Sequence, residues 1–365
     1  MSSRGRCPGR REYGGRDELG RKILGLVIHS GGGKLPLLMS TAELGTDILR
    51  EVSRSFYLTL RLLPSEFRAP LSLGYLLARM SDTIADAGLV DPGRRRDLLE
   101  QFRLIIGNPE QGDLACRFTS SLPGELEGKG LSRGEWDLVL RAGDCFEWLG
   151  SIDERCAKEI RTVVGIITEG QRWDLERFSG GEVVRLEDDE ELETYAYQVA
   201  GSVGEFWTRI GFICSEQFSR EQREVLLEWG ANYGKGLQLV NILRDIPEDL
   251  EKGRCYLPGV EPVNPEELLT QLPRWHERAR ALLADGLRYT ESLVGSRIKV
   301  STGLPALLGL KTLKRLQGAS WEELQSGVKI SRRVVKGSLL EAYARSSPWL
   351  PGSWKGVARK ALSED

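Results

Sequence analysis

The sequence predicts an all-α fold, a bundle of helices packed around a central apolar cavity. Three observations predict it. Apolar residues recur at helical spacing through most of 41–346. Strand-like alternation is confined to one short run, GEVVRL at 181–186. Chain breakers gather in a few segments, GNPEQGD, SLPGELEGKG, FSGGE and LPGVEPVNPEE, which read as loops.

Taken in order, TAELGTDILREVSRSFYLTLRLLP predicts a helix from residue 41 that Pro64 stops. Residues 66–87 predict a second, apolar along most of its length and closed by Gly88. Further helices are predicted over 92–106, 132–149, 152–172, 189–217, 220–246, 264–294, 303–317 and 338–346. No repeat of 20–50 residues is visible. The expected organisation is a disordered extension over 1–40, one domain over 41–346 and a tail over 347–365. Residues 1–40 are rich in Arg and Gly, and Met39 opens a more protein-like stretch that could be the translation start. GGGKL at 31–35 is no phosphate loop, because Leu35 stands where Ser or Thr would hold a metal.

Composition narrows the function. Fifty-one basic against 53 acidic residues give no bias toward nucleic acid. Six cysteines without a CxxC pair read as reduced thiols, which points to the cytoplasm. Two histidines, His29 and His276, lie away from every motif, which argues against a His-rich zinc site or a Ser-His-Asp triad. No apolar run approaches a membrane span or a secretory signal.

The chemistry-bearing feature is a pair of aspartate steps, Asp82/Asp86 in SDTIAD and Asp245/Asp249 in RDIPED. Residues i and i+4 share a helix face, so each step offers two carboxylates side by side. Hard oxygen ligands suit Mg²⁺, which bridges carboxylates to substrate phosphates. Arg79 precedes Asp82 by three residues, and Arg244 immediately precedes Asp245. Both steps follow apolar helical segments, where a carboxylate pair is costly without a compensating cation. A diphosphate held with metal ions between the motifs satisfies all of these charges.

Segments in a fixed order carry a family resemblance over about residues 45–345. They are SRSFYLTLRLLP, YLLARMSDTIAD, YAYQVAGSVG, GKGLQLVNILRDIPED and GRCYLP. In these the chain resembles the squalene/phytoene synthase family, the head-to-head prenyl transferases. Departures are small: Ala196 for a usual Cys, Ser202 for a usual aliphatic residue, and Ala85 where squalene synthases often have Glu.

The resemblance implies the isoprenoid synthase fold, with Asp82, Asp86, Asp245 and Asp249 holding Mg²⁺ against two farnesyl diphosphates. Ser53, Arg54, Arg79, Gln238, Asn241, Arg244 and Arg254 become candidates for binding diphosphate, guanidinium being a bidentate partner for phosphate oxygens. Ion pairing on a helix surface is the structural alternative for the arginines, and core hydrogen bonding for Gln238 and Asn241. Phe56, Tyr75, Tyr195 and Tyr256 are expected to wall a dry pocket for an allylic cation. By the resemblance Tyr195 lies near the leaving diphosphate and assists proton handling; by residue type alone it is equally a packed core tyrosine. Gly201, Gly204, Gly234 and Gly236 are expected where backbones approach closely.

SDTIAD, ITEGQRWDLERF and SGVKISRR lean toward a squalene synthase, which reduces the rearranged cation with NADPH. On that analogy Lys329, Arg332 and Arg333 contact the cofactor phosphates, although no GxGxxG fingerprint is present. The alternatives are a phytoene or dehydrosqualene synthase, which loses a proton instead, a presqualene diphosphate synthase, and a catalytically silent helical scaffold. Contact with a membrane is expected to be peripheral at most.

Overall fold

The computed structural model describes residues 43–108, 110–180, 182–262, 264–347 and 353–363. The expected disordered extension over 1–40 and Met39 lie outside the described residues, as do the side chains of Arg54 and Ser55. Helices dominate. A π-helical turn, Leu44–Ile48, runs into α1 (Leu49–Val52); α2 is Arg54–Leu62, α3 Ser65–Ala85 and α4 Pro92–Gly107. They are followed by α5 (Gly112–Leu126), α6 (Arg133–Leu140), α7 (Ala142–Ser151) and α8 (Glu154–Arg177).

After α8 comes β1 (Val184–Arg185), then α9 (Asp189–Ala196), a π-helical segment Tyr197–Gly201, α10 (Ser202–Cys214) and the long α11 (Arg223–Glu251). The chain closes with β2 (Arg254–Cys255), α12 (Pro265–Ser292), α13 (Ser296–Leu316), α14 (Trp321–Gln325), α15 (Arg332–Ser346) and α16 (Trp354–Ser363).

Several expected boundaries move. The first helix breaks at Ser53, whose φ of −148° and ψ of 71° leave the helical region. The segment 132–149 breaks at Arg141, and 189–217 is interrupted by the π-helical turn. SLPGELEGKG, read as a loop, is helical through Leu126 with Pro123 inside α5. Phe118, Leu122 and Leu126 are fully buried there, and tertiary packing overrides the breakers. α11 runs on past Ile246 to Glu251 through Pro247, so both Asp245 and Asp249 are helical. α13 and α15 each begin six to seven residues earlier than expected, at Ser296 and Arg332. The segment read as a tail contains α16, with Trp354 fully buried and its indole N–H donating to Ser346 Oγ at 3.3 Å.

Two apolar clusters organise the described residues. One gathers α3, α4, α8 and α10 around Leu76, Leu77, Met80, Phe102 and Ile160. The other gathers α11, α12 and α13 around Leu243, Leu257, Leu283 and Leu307. Glycines set the contact between α10 and α11. A Cβ on Gly204 would lie 1.8 Å from the Gly230 carbonyl oxygen, and one on Gly234 would lie 2.1 Å from that of Ala200. These helices touch backbone to backbone, as Gly204 and Gly234 led us to expect. Gly236 packs less tightly on α12, where an added Cβ would lie 2.9 Å from Leu282 Cβ.

The GEVVRL run forms a two-residue strand. Val184 and Arg185 pair in parallel with Arg254 and Cys255. Gly253, at a φ of +77°, makes the left-handed turn that brings the chain from the end of α11 into this ladder. The ladder fixes Arg254 and Tyr256 directly after the second aspartate step.

Candidate active site

The first step stands at the end of α3. Asp82 occupies its last turn, and Asp86 is its C-cap with φ −86° and ψ 0°. Gln171 of α8 donates through Nε2 to Asp82 Oδ1 at 2.5 Å, and Arg79 Nη1 lies 3.9 Å from Asp82 Oδ2. The Asp82 side chain keeps 43% of its surface accessible, yet burial, followed by repulsion from Asp86, pushes its carboxyl up to about 7. Part of the carboxylate thus faces solvent while protein crowds the rest.

Arg79 is held from the other side. Its guanidinium donates to Glu135 Oε1, the residue that closes the capping box of α6 with Ser132. Arg79 is therefore shared between Glu135 and Asp82. Beside it Tyr75 donates to the Val52 carbonyl at 3.1 Å and stacks on Phe56, ring centroids 4.7 Å apart. Burial raises the Tyr75 phenol above its ordinary value, so it stays protonated. Ser53, buried at the break between α1 and α2, lies against the same phenol. Arg54 opens α2, and its side chain is outside the described residues.

The second step lies on α11. Arg244 grips Asp245 with two bonds, Nε to Oδ1 at 2.7 Å and Nη2 to Oδ2 at 2.5 Å. Burial pushes the Asp249 carboxyl up to about 7, opposed by Arg254 and reinforced by Asp245. One turn before Asp245, Asn241 is exposed and donates to Gln238 Oε1 at 3.5 Å. Lys329 is exposed but close enough to Glu248 to help hold that carboxyl below its ordinary value, after Lys252. Arg332 and Arg333 open α15 and are fully on the outside.

A buried polar chain lies within electrostatic reach of both steps, and sequence reading missed its centre. Asp174 of α8, 6% exposed, pairs with Arg254 Nη1 at 3.1 Å and accepts from the Tyr256 hydroxyl at 2.5 Å. Tyr195 donates in turn to the Tyr256 hydroxyl at 3.4 Å, and the two rings stack at 4.9 Å with 12° between planes. Trp173 and Phe178 close the aromatic wall around them. Burial raises both phenols well above their ordinary range. It also outweighs Arg254 and holds Asp174 above the usual carboxylate range, while Asp174 and Tyr256 keep Arg254 protonated against the burial that opposes it. Asp174 senses the charges of both Asp86 and Arg254, which places it between the motifs. Gln171 and Asp174 stand three residues apart on α8, within the ITEGQRWDLERF stretch. Neither stands out among the polar residues around it in sequence, and only contacts with Asp82 and Tyr256, more than 80 positions away, reveal its task.

The carboxylates fit Mg²⁺ in chemistry. They are hard oxygen donors, and Asp82 and Asp249 are crowded by neighbouring negative charge that a divalent ion would relieve. Among the described residues no three acidic, His or Cys side chains converge on one point. Among the described residues no helix is long and apolar enough to cross a membrane.

Comparison with known proteins gives a consistent result. The family model described as squalene/phytoene synthase matches residues 49–334. The chain is 31% identical over 225 residues to a bifunctional lycopene cyclase/phytoene synthase of Blakeslea trispora, a match covering 60% of this chain and 33% of that protein. It thus spans about a third of the length of the bifunctional relatives it matches. To a phytoene synthase of Thermus thermophilus it is 29% identical over 287 residues, covering 74% of this chain and 82% of the relative. The solved structure of TcSQS with the ligand BPH1237 superposes with a TM-score of 0.67 at 18% identity, over 89% of this chain and 96% of that one. At that identity the likeness concerns the fold, and it confirms the expected all-α isoprenoid synthase architecture.

Proposed function

Because the chain belongs to the squalene/phytoene synthase family, a family of prenyltransferases, we propose that it joins two prenyl diphosphates head to head, in the recess between the aspartate steps. The observation that carries this reading is the buried chain Tyr195–Tyr256–Asp174–Arg254, whose charged members lie within electrostatic reach of Asp86 in the first step and Asp249 in the second. Asp82, Asp86, Asp245 and Asp249 would hold Mg²⁺, which when bound neutralises charge on the departing diphosphate. Arg244 and Arg254 add fixed positive charge at the same end, where low dielectric strengthens it. Phe56, Tyr75, Trp173 and Tyr195 exclude water from the cation left behind and offer it ring faces. Tyr195 and Tyr256, kept protonated by burial, fix the aromatic wall through their own bonds, Tyr195 to Tyr256 and Tyr256 to Asp174. The proton that leaves the first cation passes to the departing diphosphate at the Tyr195 end of the wall.

For the fate of the second cation, loss of a proton without a reductant is favoured by the phytoene synthase relatives. The second reading, reduction by NADPH to squalene from farnesyl diphosphate, has one supporting observation: the charge of exposed Lys329 reaches Glu248, within the second step. Incubation with farnesyl or geranylgeranyl diphosphate and Mg²⁺, with and without NADPH, decides between them. The same hydrocarbon in both arms supports proton loss. A product that becomes saturated at its centre only with NADPH supports reduction, and no condensation with either substrate would overturn the reading as a whole.

A further inference from the structure

Outside the recess, α15 carries an arrangement that helix stability does not explain. Its inward face is small and buried: Ser338 and Ala342 are fully covered, Ser346 nearly so, and Lys311 of α13 donates to Ser338 Oγ at 2.8 Å. Its outward face carries Arg332, Arg333, Lys336, Leu340 and Tyr343, which at 3.6 residues per turn fall within an arc of about 100°. All five are exposed, Leu340 at 71% and Tyr343 at 44%, both unusually open for large apolar side chains.

The two arginines stand in the first turn after the Ser331 cap, where the helix dipole disfavours positive charge. Neither they nor Lys336 has a hydrogen-bond or ion-pair partner among the described residues. Three cations are thus placed where the fold gains nothing from them. The surroundings share their sign: residues 329–365 carry eight Lys/Arg and three Asp/Glu, net +5, in a chain of net −2. Lys355 and Arg359 continue the exposed basic character on α16, with Leu362 beside them at 51% exposure.

We infer that the outward face of α15 docks on an anionic lipid bilayer. Its cations would meet the headgroups while Leu340 and the Tyr343 ring enter the interfacial layer, the pattern of a helix lying in the membrane plane. Positive charge and apolar side chains on one stripe match such a surface, whereas a nucleic acid would use the charge and leave Leu340 without a role. The assignment gives Arg332 and Arg333 a task distinct from the cofactor contact that the resemblance suggests.

The test is co-sedimentation of the full chain with vesicles of phosphatidylcholine alone and of phosphatidylcholine mixed with phosphatidylglycerol. The variants are Arg332→Gln/Arg333→Gln/Lys336→Gln and Leu340→Ser/Tyr343→Ser, with thermal melting to verify folding. Residues 1–40 are themselves Arg-rich, so the variants decide the matter. The expected result is binding to the mixed vesicles only, weakened at least about tenfold in the triple variant, since each cation near such a surface is worth a factor of about five. The double variant should retain binding at low salt and lose it at high salt. Wild-type binding that neither variant changes, no vesicle binding at all, or capture by a polynucleotide in place of vesicles would each overturn the inference. The catalytic reading stands or falls separately, on product formation.

Discussion

In the first aspartate step Asp82 sits in the last turn of α3 and Asp86 caps its C-terminus, where the helix dipole adds to the repulsion between them. In the second step Asp245 and Asp249 both lie within α11, and cations flank them: Arg244 clasps Asp245, while Arg254 and Lys252 act on Asp249. Asp82 by contrast has a neutral donor, Gln171, and a share of an arginine that Glu135 also holds. Equal spacing in sequence therefore conceals unequal compensation. The first step is an exposed concentration of negative charge that a metal ion must complete; the second is partly neutralised before anything binds.

The largest effects should come from removing one carboxylate of each step. Asp82→Ala and Asp249→Ala should each lower turnover of prenyl diphosphate by at least about 10²–10³-fold, the cost typical of losing one preorganised charge contact. Excess Mg²⁺ should rescue Asp249→Ala more than Asp82→Ala, because Arg244 and Arg254 remain at the second step. Equal rescue would erase the contrast drawn above.

Next comes the buried network within reach of both steps. Asp174→Asn leaves Arg254 buried without its charge partner, which should destabilise the protein by about 3 kcal/mol, read as a lowered denaturation midpoint. It should also lower kcat more than it raises KM, since the substrate-facing arginines are still present. A variant with native stability and activity would show that the network serves neither step.

A further effect, reduced at Asp82 by solvent exposure, is expected in the pH dependence of stability without metal. Asp82 and Asp249 have folded-state values raised to about 7 from an ordinary 3.8. The folded protein therefore binds their protons more tightly than the unfolded chain, and stability falls as pH rises from about 4 to about 7. Melting curves in a chelator should show this decline, flattened in part by Asp82→Asn or Asp249→Asn. Mg²⁺ with inorganic diphosphate at pH 8 should restore the loss. The smallest effect is expected from Glu135→Gln, which releases Arg79 from a half-buried ion pair worth about 1 kcal/mol at most. Steady-state kinetics should show a lower KM for prenyl diphosphate with kcat little changed.

Much of this architecture was legible in the residues, for identifiable reasons. Helical periodicity exposes α3, α8 and α12, since each buries one long apolar stripe. The aspartate steps announce themselves because their partners are four residues away. Gly204 and Gly234 signal a close approach that the structure places between α10 and α11. Asp174 and Gln171 escaped because their partners are distant in sequence, and a polar residue on an amphipathic helix has no local signature. α5 and α16 escaped for the opposite reason: Pro123 and the glycines around it are strong local signals, overruled by the burial of Phe118 and Trp354. Arg79 shows a third limit. Its position beside Asp82 was plain, but the competing hold of Glu135 depends on where α6 comes to rest.

The π-helical segment Tyr197–Gly201 gives this wall a particular kind of fragility. Such a turn contains one residue more than an α-helix would use, and each residue rotates the helix by about 100°. That surplus lets Tyr195, before it, face the phenol of Tyr256 while Gly204, after it, faces the backbone of α11. Deleting any one residue of the five would regularise the helix and turn one of these faces away. Substitutions here are then a matter of degree, but a change in length is all or nothing, so the segment should diversify in side chains while its residue count stays constant.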